Sequence, residues 1–168
     1  EEEFNALSID IFLKKVKKAL GITKIDFQQS YNRNLFFLHL KNNEVLKTEF
    51  TYFPFPRLEK GFIFEGVEVD SLPDIAVNKL FTIYQRTKAR DYIDLFFAAK
   101  EHNFSIAELI RKAKLKFDWH IDPVQLGTQF IKAEEAQDYP RMIKSLDKKA
   151  LADFFIAEAK KFKTEIFE

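Results

Sequence analysis

Residues 71–99 read SLPDIAVNKLFTIYQRTKARDYIDLFFAA, and this stretch decides the fold and the candidate site. Apolar residues recur at spacings of three and four on both sides of a polar break at 86–88, which predicts two consecutive helices. Lys79 lies inside the apolar stripe of the first helix, and Arg86 follows seven residues later, so both cations project from nearly the same side. The second helix opens with Arg90 and Asp91 and carries Asp94 one turn further on. The pattern therefore predicts that two cations and two carboxylates converge where the helices meet.

The flanking sequence predicts an α+β fold. A capped helix from Ser8 to about Leu20 precedes residues 22–69, whose apolar runs predict a small, mainly antiparallel sheet of three to five short strands. Helical patterns resume after residue 103, with a capping box at Ser105 and Glu108 and an Asp-Pro helix start at 122–123. We therefore expect a sheet portion, 1–70, and a C-terminal helical bundle, 71–168, that form one structural unit.

Composition excludes several classes of protein. The 168 residues include 20 Phe and no Cys, so we expect an aromatic-rich core and exclude a disulfide partner and a thiolate metal site. With 27 basic and 26 acidic residues, the chain has no strong overall field for nucleic acid or a membrane. No apolar segment approaches the length of a membrane span, and a cytoplasmic protein is expected.

The central stretch carries the order Ser-Leu-x-Asp-Ile-x-x-x-Lys-Leu-x-x-Ile-x-x-Arg, followed by Arg-Asp-Tyr-Ile-Asp-Leu. This order resembles the late motif of the AbiEii/AbiGii nucleotidyltransferase-like toxin family, within the polymerase-β-type nucleotidyltransferase superfamily. The resemblance implies a partial nucleotidyltransferase fold. It also implies that the complete protein transfers a nucleotidyl group from an NTP, with Mg²⁺, to an RNA or protein acceptor, and that it has a cognate antitoxin.

The resemblance also assigns roles to single residues. It makes Lys79, Arg86 and Arg90 nucleotide-binding residues, and Asp91 and Asp94 catalytic residues. It makes Glu49 both a catalytic residue and a metal ligand, at a strand position where the family more often has Asp. The paired metal-binding carboxylates of the family are missing, because the sequence begins where they would end. We therefore expect this form to be inactive, with no tightly bound cofactor.

Each of these residues also has a purely structural interpretation. Lys79 could form an ion pair with Asp91 or Asp94, and Asp91 could be an ordinary acid in the first turn of a helix. Asp94 could pair with Arg90 four residues earlier, and Glu49 could be an outward-facing residue of a strand. The alternative function is therefore a non-catalytic module that binds a nucleotide or a protein partner.

Three further features have two interpretations each. The basic run 111–116 could bind RNA phosphates, or it could be a solvated helix face. Trp119 could stack on a base or fill the space between helices. Glu68 and Asp70 alternate on a predicted strand as metal ligands do, but they also suit a solvent-facing strand end.

Overall fold

The structure, a computed structural model, describes residues 6–30 and 33–166, with side chains from 7 to 162 outside the gap. Five strands and six α-helices follow one another, and their class confirms the predicted α+β fold. Their bounds are α1 Ala6–Val16, β1 Ile22–Ser30, β2 Arg33–Leu40, β3 Val45–Thr51, β4 Phe62–Phe64, β5 Val67–Val69, α2 Leu72–Gln85, α3 Ala89–His102, α4 Ile106–Phe117, α5 Pro123–Ile131, a 3-10 turn Lys132–Glu134, and α6 Lys148–Ile166.

The chain divides into two compact units, Glu1–Pro54 and Phe55–Glu168. The β4–β5 hairpin therefore belongs with the helices, whereas the sequence interpretation placed it in the sheet portion, 1–70. That the chain forms one structural unit stays a prediction. Among the described residues, no helix combines the length and the apolarity that crossing a membrane would require.

The first unit is a three-stranded antiparallel sheet in the order β1-β2-β3, with α1 packed on one face. Period-two alternation turns Phe36 and Leu38 of β2 inward, where they pack in one cluster with Ile9 and Leu13 of α1. Leu35, Phe37 and His39 alternate with them and face the opposite side of the sheet, and Glu49 of β3 pairs with Leu35. The face that carries Glu49 is therefore not the face that packs on α1.

The start and the end of α1 differ from the sequence interpretation. Ser8 lies inside the helix rather than capping it, and the helix ends at Val16 rather than near Leu20. Residues 17–21 instead form turns, in which the backbone N–H of Leu20 donates to the carbonyl of Val16. Gly21 completes this reversal with φ 64°, a left-handed conformation that glycine adopts without steric cost.

The second unit begins with the β4–β5 hairpin, which confirms the predicted short hairpin before the central helices. Gly61, just before β4, lies so close to β5 that a Cβ at this position would overlap the carbonyl oxygen of Val69. Only glycine allows this approach of the two backbones.

Helices α2 to α6 form the bundle that the sequence predicted, around a core of aromatic rings. The rings of Phe81 and Phe117 stack with their centroids 4.0 Å apart, and Phe155 lies 5.1 Å from both Tyr92 and Phe130. Such offset and edge contacts add to the free energy that burial of the rings supplies. The aromatic-rich core predicted from composition is thus the core of this bundle.

Ser105 occupies the predicted N-cap position of α4, but the predicted capping box is not formed. The Ser105 side chain makes no capping hydrogen bond. Glu108, the other half of the expected capping box, instead forms an ion pair with Lys112 across 3.3 Å, one turn further along the same helix. The i,i+4 pair has therefore replaced the capping box.

Candidate functional site at the α2–α3 junction

The two central helices break where the sequence predicted. Helix α2 ends at Gln85, because Arg86 adopts an extended conformation (φ −156°, ψ 156°), and α3 begins at Ala89. Arg86, the residue directly after α2, follows Lys79 by seven positions, about two helical turns, so both side chains reach toward the start of α3. The break therefore turns α3 back onto the side of α2 that carries the two cations.

Asp91 is the centre of this site. Its side chain is 2% exposed, and its two oxygens are both engaged by cations. Lys79 Nζ donates to Oδ1 at 3.1 Å, while Nε and Nη2 of Arg86 donate to Oδ2 at 3.3 and 3.2 Å. The predicted convergence of Lys79, Arg86 and Asp91 is confirmed. The contacts also match the structural interpretation, in which Lys79 forms an ion pair.

Asp94 lies one turn further along α3 and is more exposed. Its Oδ2 forms an ion pair with Lys79 Nζ at 2.7 Å, and its side chain is 49% exposed. The suggested pair between Asp94 and Arg90 is wrong, since Lys79 is the partner. Arg90 is exposed and forms no ion pair with any residue that the structure describes, and its role in nucleotide binding stays a prediction.

Glu49 belongs to the other compact unit and has a cation of its own. Nε of Arg33, on the neighbouring strand, donates to Glu49 Oε1 at 2.7 Å, and Nη2 forms an ion pair with the same oxygen at 2.6 Å. Partial burial raises the pKa of Glu49, but the hydrogen bond and charge of Arg33, together with the Thr51 hydroxyl and the charge of Lys47, lower the pKa below its usual value. Glu49 is thus a paired residue on the sheet face opposite α1, and its predicted roles in metal binding and catalysis remain predictions.

The described carboxylates do not fit a Mg²⁺ site. Both oxygens of Asp91 are engaged by cations, Asp94 pairs with Lys79, and Glu49 pairs with Arg33. Within residues 6–30 and 33–166, no group of three or more His, Asp or Glu side chains is arranged to hold a metal ion. We therefore derive no chemical step through a metal from these residues.

The alternating carboxylates of Glu68 and Asp70 are also paired with a cation. Arg57 contacts both carboxylates, Glu68 at 2.5 Å through Nη1 and Asp70 at 2.8 Å through Nε. This guanidinium links the 57–60 loop to the end of β5. The observed contacts support the structural interpretation of the pair.

Sequence reasoning missed a second, fully buried ion pair. Asp74, in the first turn of α2, is 0% exposed and accepts from Lys116 Nζ of α4 at 2.6 Å. Its carboxylate also accepts from the Ser71 hydroxyl and from the backbone N–H groups of Leu58 and Glu59. One carboxylate therefore joins the loop before β4, the cap of α2 and the end of α4. The only sequence signal was Asp three residues after a Ser cap.

The pKa of Asp74 makes the stability of the protein depend on pH. Burial alone would raise this pKa, but the hydrogen bonds, with that from Lys116 the largest, lower it from 3.8 to about 2. A depressed pKa stabilises the fold above the unfolded value and loses this effect as pH falls through the folded one. The contribution at neutral pH is about 2 kcal/mol.

We therefore expect Asp74→Asn to lose stability mainly at neutral pH. The difference in free energy of unfolding between wild type and variant should shrink as pH falls from about 4 to about 2, because the wild-type carboxylate becomes protonated in that window. Urea denaturation across this pH series measures it. A difference that stays constant over the whole series would contradict the assignment.

The basic run on α4 is less available for RNA than the sequence suggested. Lys116 is 3% exposed and bonded to Asp74, and Lys112 pairs with Glu59 and Glu108. Of the run, Arg111 and Lys114 are the exposed cations without an ion pair among the described residues. The prediction that the basic run 111–116 offers RNA a continuous positive surface is therefore wrong.

Trp119 does not occupy the space between helices that we considered for it. Its side chain is 56% exposed, immediately after the end of α4. The interpretation as a core tryptophan is wrong. Because the indole is exposed, it is accessible to a base, and stacking on a base stays a prediction.

Comparisons with known proteins agree with this architecture. The structure matches that of a candidate nucleotidyltransferase from Helicobacter pylori with a TM-score of 0.53 and 24% identity, covering 93% of this chain and 75% of that one. It also matches JHP933 from H. pylori with a TM-score of 0.49 and 22% identity, covering 92% and 74%. No curated protein sequence matches.

The first of these matches shows that the chain has a nucleotidyltransferase-like fold. The model of the family described as nucleotidyl transferase AbiEii toxin, of type IV toxin–antitoxin systems, matches residues 42–163. This match spans most of the sequence, so the chain belongs to the AbiEii nucleotidyltransferase toxin family. The predicted family is confirmed, and Lys79, Arg86, Asp91 and Asp94 all lie within the matched region.

Proposed function

We propose that this protein is a toxin that transfers a nucleotidyl group from an NTP to an RNA or protein acceptor, and that Lys79 and Arg86 contact the phosphates of the NTP. Membership of the AbiEii family supports the reaction class. The arrangement around Asp91 supports the phosphate site, because it holds two cations together at the end of one helix.

The observation that carries the phosphate assignment is the combination of a buried anchor and exposed cations. Asp91 is 2% exposed, whereas the side chains of Lys79 and Arg86 are 26% and 44% exposed. Nη1 of Arg86 has no hydrogen-bond partner within the described part of the chain. Polyphosphate needs positive charge and N–H donors that are already oriented, and a buried carboxylate provides that orientation.

Asp94 is the residue that we assign to the reacting end of the site. It shares Lys79 with Asp91 but is half-exposed, so an incoming anion can compete with it for the ammonium group. In this proposal Asp94 acts as a positioning residue or as a general base for the acceptor. The use of Mg²⁺ and the role of Glu49 in this reaction remain expectations.

The partner and the location of the protein are also proposals. Membership of a toxin family of type IV toxin–antitoxin systems supports a cognate antitoxin. We propose that the protein acts in the cytoplasm, where NTPs and RNA are available. Arg111, Lys114 and Trp119 are the exposed residues that an RNA acceptor could contact, through phosphates and through stacking.

Calorimetric titration of the full chain with an NTP, with and without Mg²⁺, tests the phosphate site. We expect Lys79→Ala and Arg86→Ala each to weaken binding by about tenfold, as expected for loss of one charge-assisted contact. In each variant Asp91 retains the other cation, so the fold should survive, and circular dichroism checks this. Lys114→Ala, which removes an exposed cation of α4, is the matched control and should bind like wild type.

The second candidate function is a non-catalytic module that binds a partner. It is favoured by the charge balance of the site, since the two cations and the two carboxylates are paired with one another. A network neutral in itself needs no ligand. If wild type binds no NTP at millimolar concentration, or if the Lys79, Arg86 and Lys114 variants bind equally, this second function is preferred.

A further inference from the structure

The start of α3 lacks a cap of its own. Lys88 occupies the N-cap position, and a lysine side chain has no acceptor for the unpaired N–H groups of a first helical turn. Asp91, the acid of that first turn, would ordinarily serve this purpose. Its two oxygens are instead turned to Lys79 and Arg86. The helix that carries the site therefore needs an acceptor from elsewhere.

Asp138 is that acceptor. It lies 49 residues along the chain from Ala89, after α5, and its Oδ1 accepts from the backbone N–H of Ala89 at 2.9 Å. Its Oδ2 lies 3.3 Å from Lys88 Nζ. The hydrogen bond from Ala89 is also the main reason why the pKa of Asp138 is below its ordinary value. A carboxylate at this place also interacts favourably with the positive end of the helix dipole.

Further contacts hold the same junction from the same part of the chain. The Thr87 hydroxyl donates to the Gln129 side chain at 3.0 Å, and the Tyr92 hydroxyl donates to the Gln129 backbone carbonyl at 2.7 Å. Residues before and after the first turn of α3 are thus tied to α5, and the first turn itself is tied to Asp138. This frame sets the position of Asp91 relative to α2.

We propose that Asp138 is the N-cap of α3 in place of Lys88, and that by doing so it is a positioning residue that leaves Asp91 free to hold Lys79 and Arg86. The consequence for nucleotide affinity rests on the proposed function, but the capping and the positioning do not. Asp138 makes no contact with the cations of the site in this structure.

Three variants separate the cap from the charge and from general loss of stability. Asp138→Ala removes the acceptor, whereas Asp138→Asn keeps an amide oxygen, which caps helices as well as a carboxylate does. Lys88→Met removes the ion pair but leaves the cap. We expect hydrogen exchange of the Ala89 amide to accelerate by about tenfold in Asp138→Ala, and by much less in the other two.

A double-mutant cycle with Asp91→Asn tests positioning without any nucleotide. If Asp138 positions Asp91, Asp138→Ala should destabilise the Asp91→Asn protein less than it destabilises wild type. Equal destabilisation in both backgrounds would overturn the positioning role. Unchanged Ala89 exchange in Asp138→Ala would overturn the cap.

Nucleotide titration completes the design. If wild type binds NTP, Asp138→Ala should weaken binding several-fold while Asp138→Asn does not, because only the first releases α3. Equal affinity of wild type and Asp138→Ala would overturn the functional consequence. Failure of wild type to bind any NTP would reject the proposed function, and the exchange and cycle results would still decide the role of Asp138.

Discussion

Replacement of Lys116 by methionine is expected to lower the free energy of unfolding by about 3–5 kcal/mol at neutral pH. The reason is that Asp74 would keep its negative charge at a position that is 0% exposed, without the ammonium group that now lies 2.6 Å away. Methionine has a similar length and preserves the packing, so the loss reports mainly on charge. Urea denaturation followed by circular dichroism measures it.

Two further variants keep this result interpretable. Lys114→Met, on the exposed side of the same helix, should change stability by less than about 0.5 kcal/mol. The double variant Asp74→Asn with Lys116→Met should recover part of the loss, because the unpaired buried charge is gone while the amide oxygen still accepts from the backbone. A Lys116→Met protein as stable as the Lys114→Met protein would show that the pair is not buried as described.

Replacement of Asp91 by asparagine should cost about 2–3 kcal/mol of stability. The amide has nearly the shape of the carboxylate, but it brings an N–H₂ group toward the donors of Lys79 and Arg86 and leaves both cations without their buried partner. The loss should be smaller than for Lys116→Met because these cations are 26% and 44% exposed and regain hydration.

Asp94→Asn is the matched control for Asp91→Asn. It removes a carboxylate that contacts the same lysine, but its side chain is 49% exposed, so the loss should stay below about 1 kcal/mol. Denaturation of both variants under identical conditions gives the comparison. Equal losses would mean that burial of Asp91 does not decide its contribution.

Local pattern explains why so much of the central stretch could be predicted. The spacing of apolar residues and the polar run at 86–88 predicted α2, α3 and the break between them. A short break between two helices limits the positions that the side chains of Lys79, Arg86 and Asp91 can take relative to one another. Helix geometry therefore predicts that they can converge, while the contacts of Thr87, Ala89 and Tyr92 with α5 and Asp138 hold α3 in place.

Contacts between residues distant in sequence could not be predicted in the same way. Lys116 looked like one of several lysines on a solvated helix, because periodicity does not tell which lysine meets a buried carboxylate 42 residues away. The interpretation that placed Trp119 between helices failed for a similar reason, because sequence pattern does not show whether a partner covers the indole. The spacing of residues shows on which face of a helix a residue lies. Whether that face is buried depends on which other element of the fold packs against it.

By itself, the sequence determined the α+β class, the family, the two helices around 86–88 and the meeting of two cations with Asp91. The class and the family follow from local patterns and a sequence motif, and the other two follow from spacing along consecutive helices, whose geometry is the same in every protein. Only the tertiary structure decided that Asp74 is buried against Lys116 and that Asp138 contacts Ala89, the first residue of α3. A hydrogen-bond donor that is removed from water needs an acceptor. In both cases the partner belongs to a segment that is distant in sequence, so local pattern could not identify it.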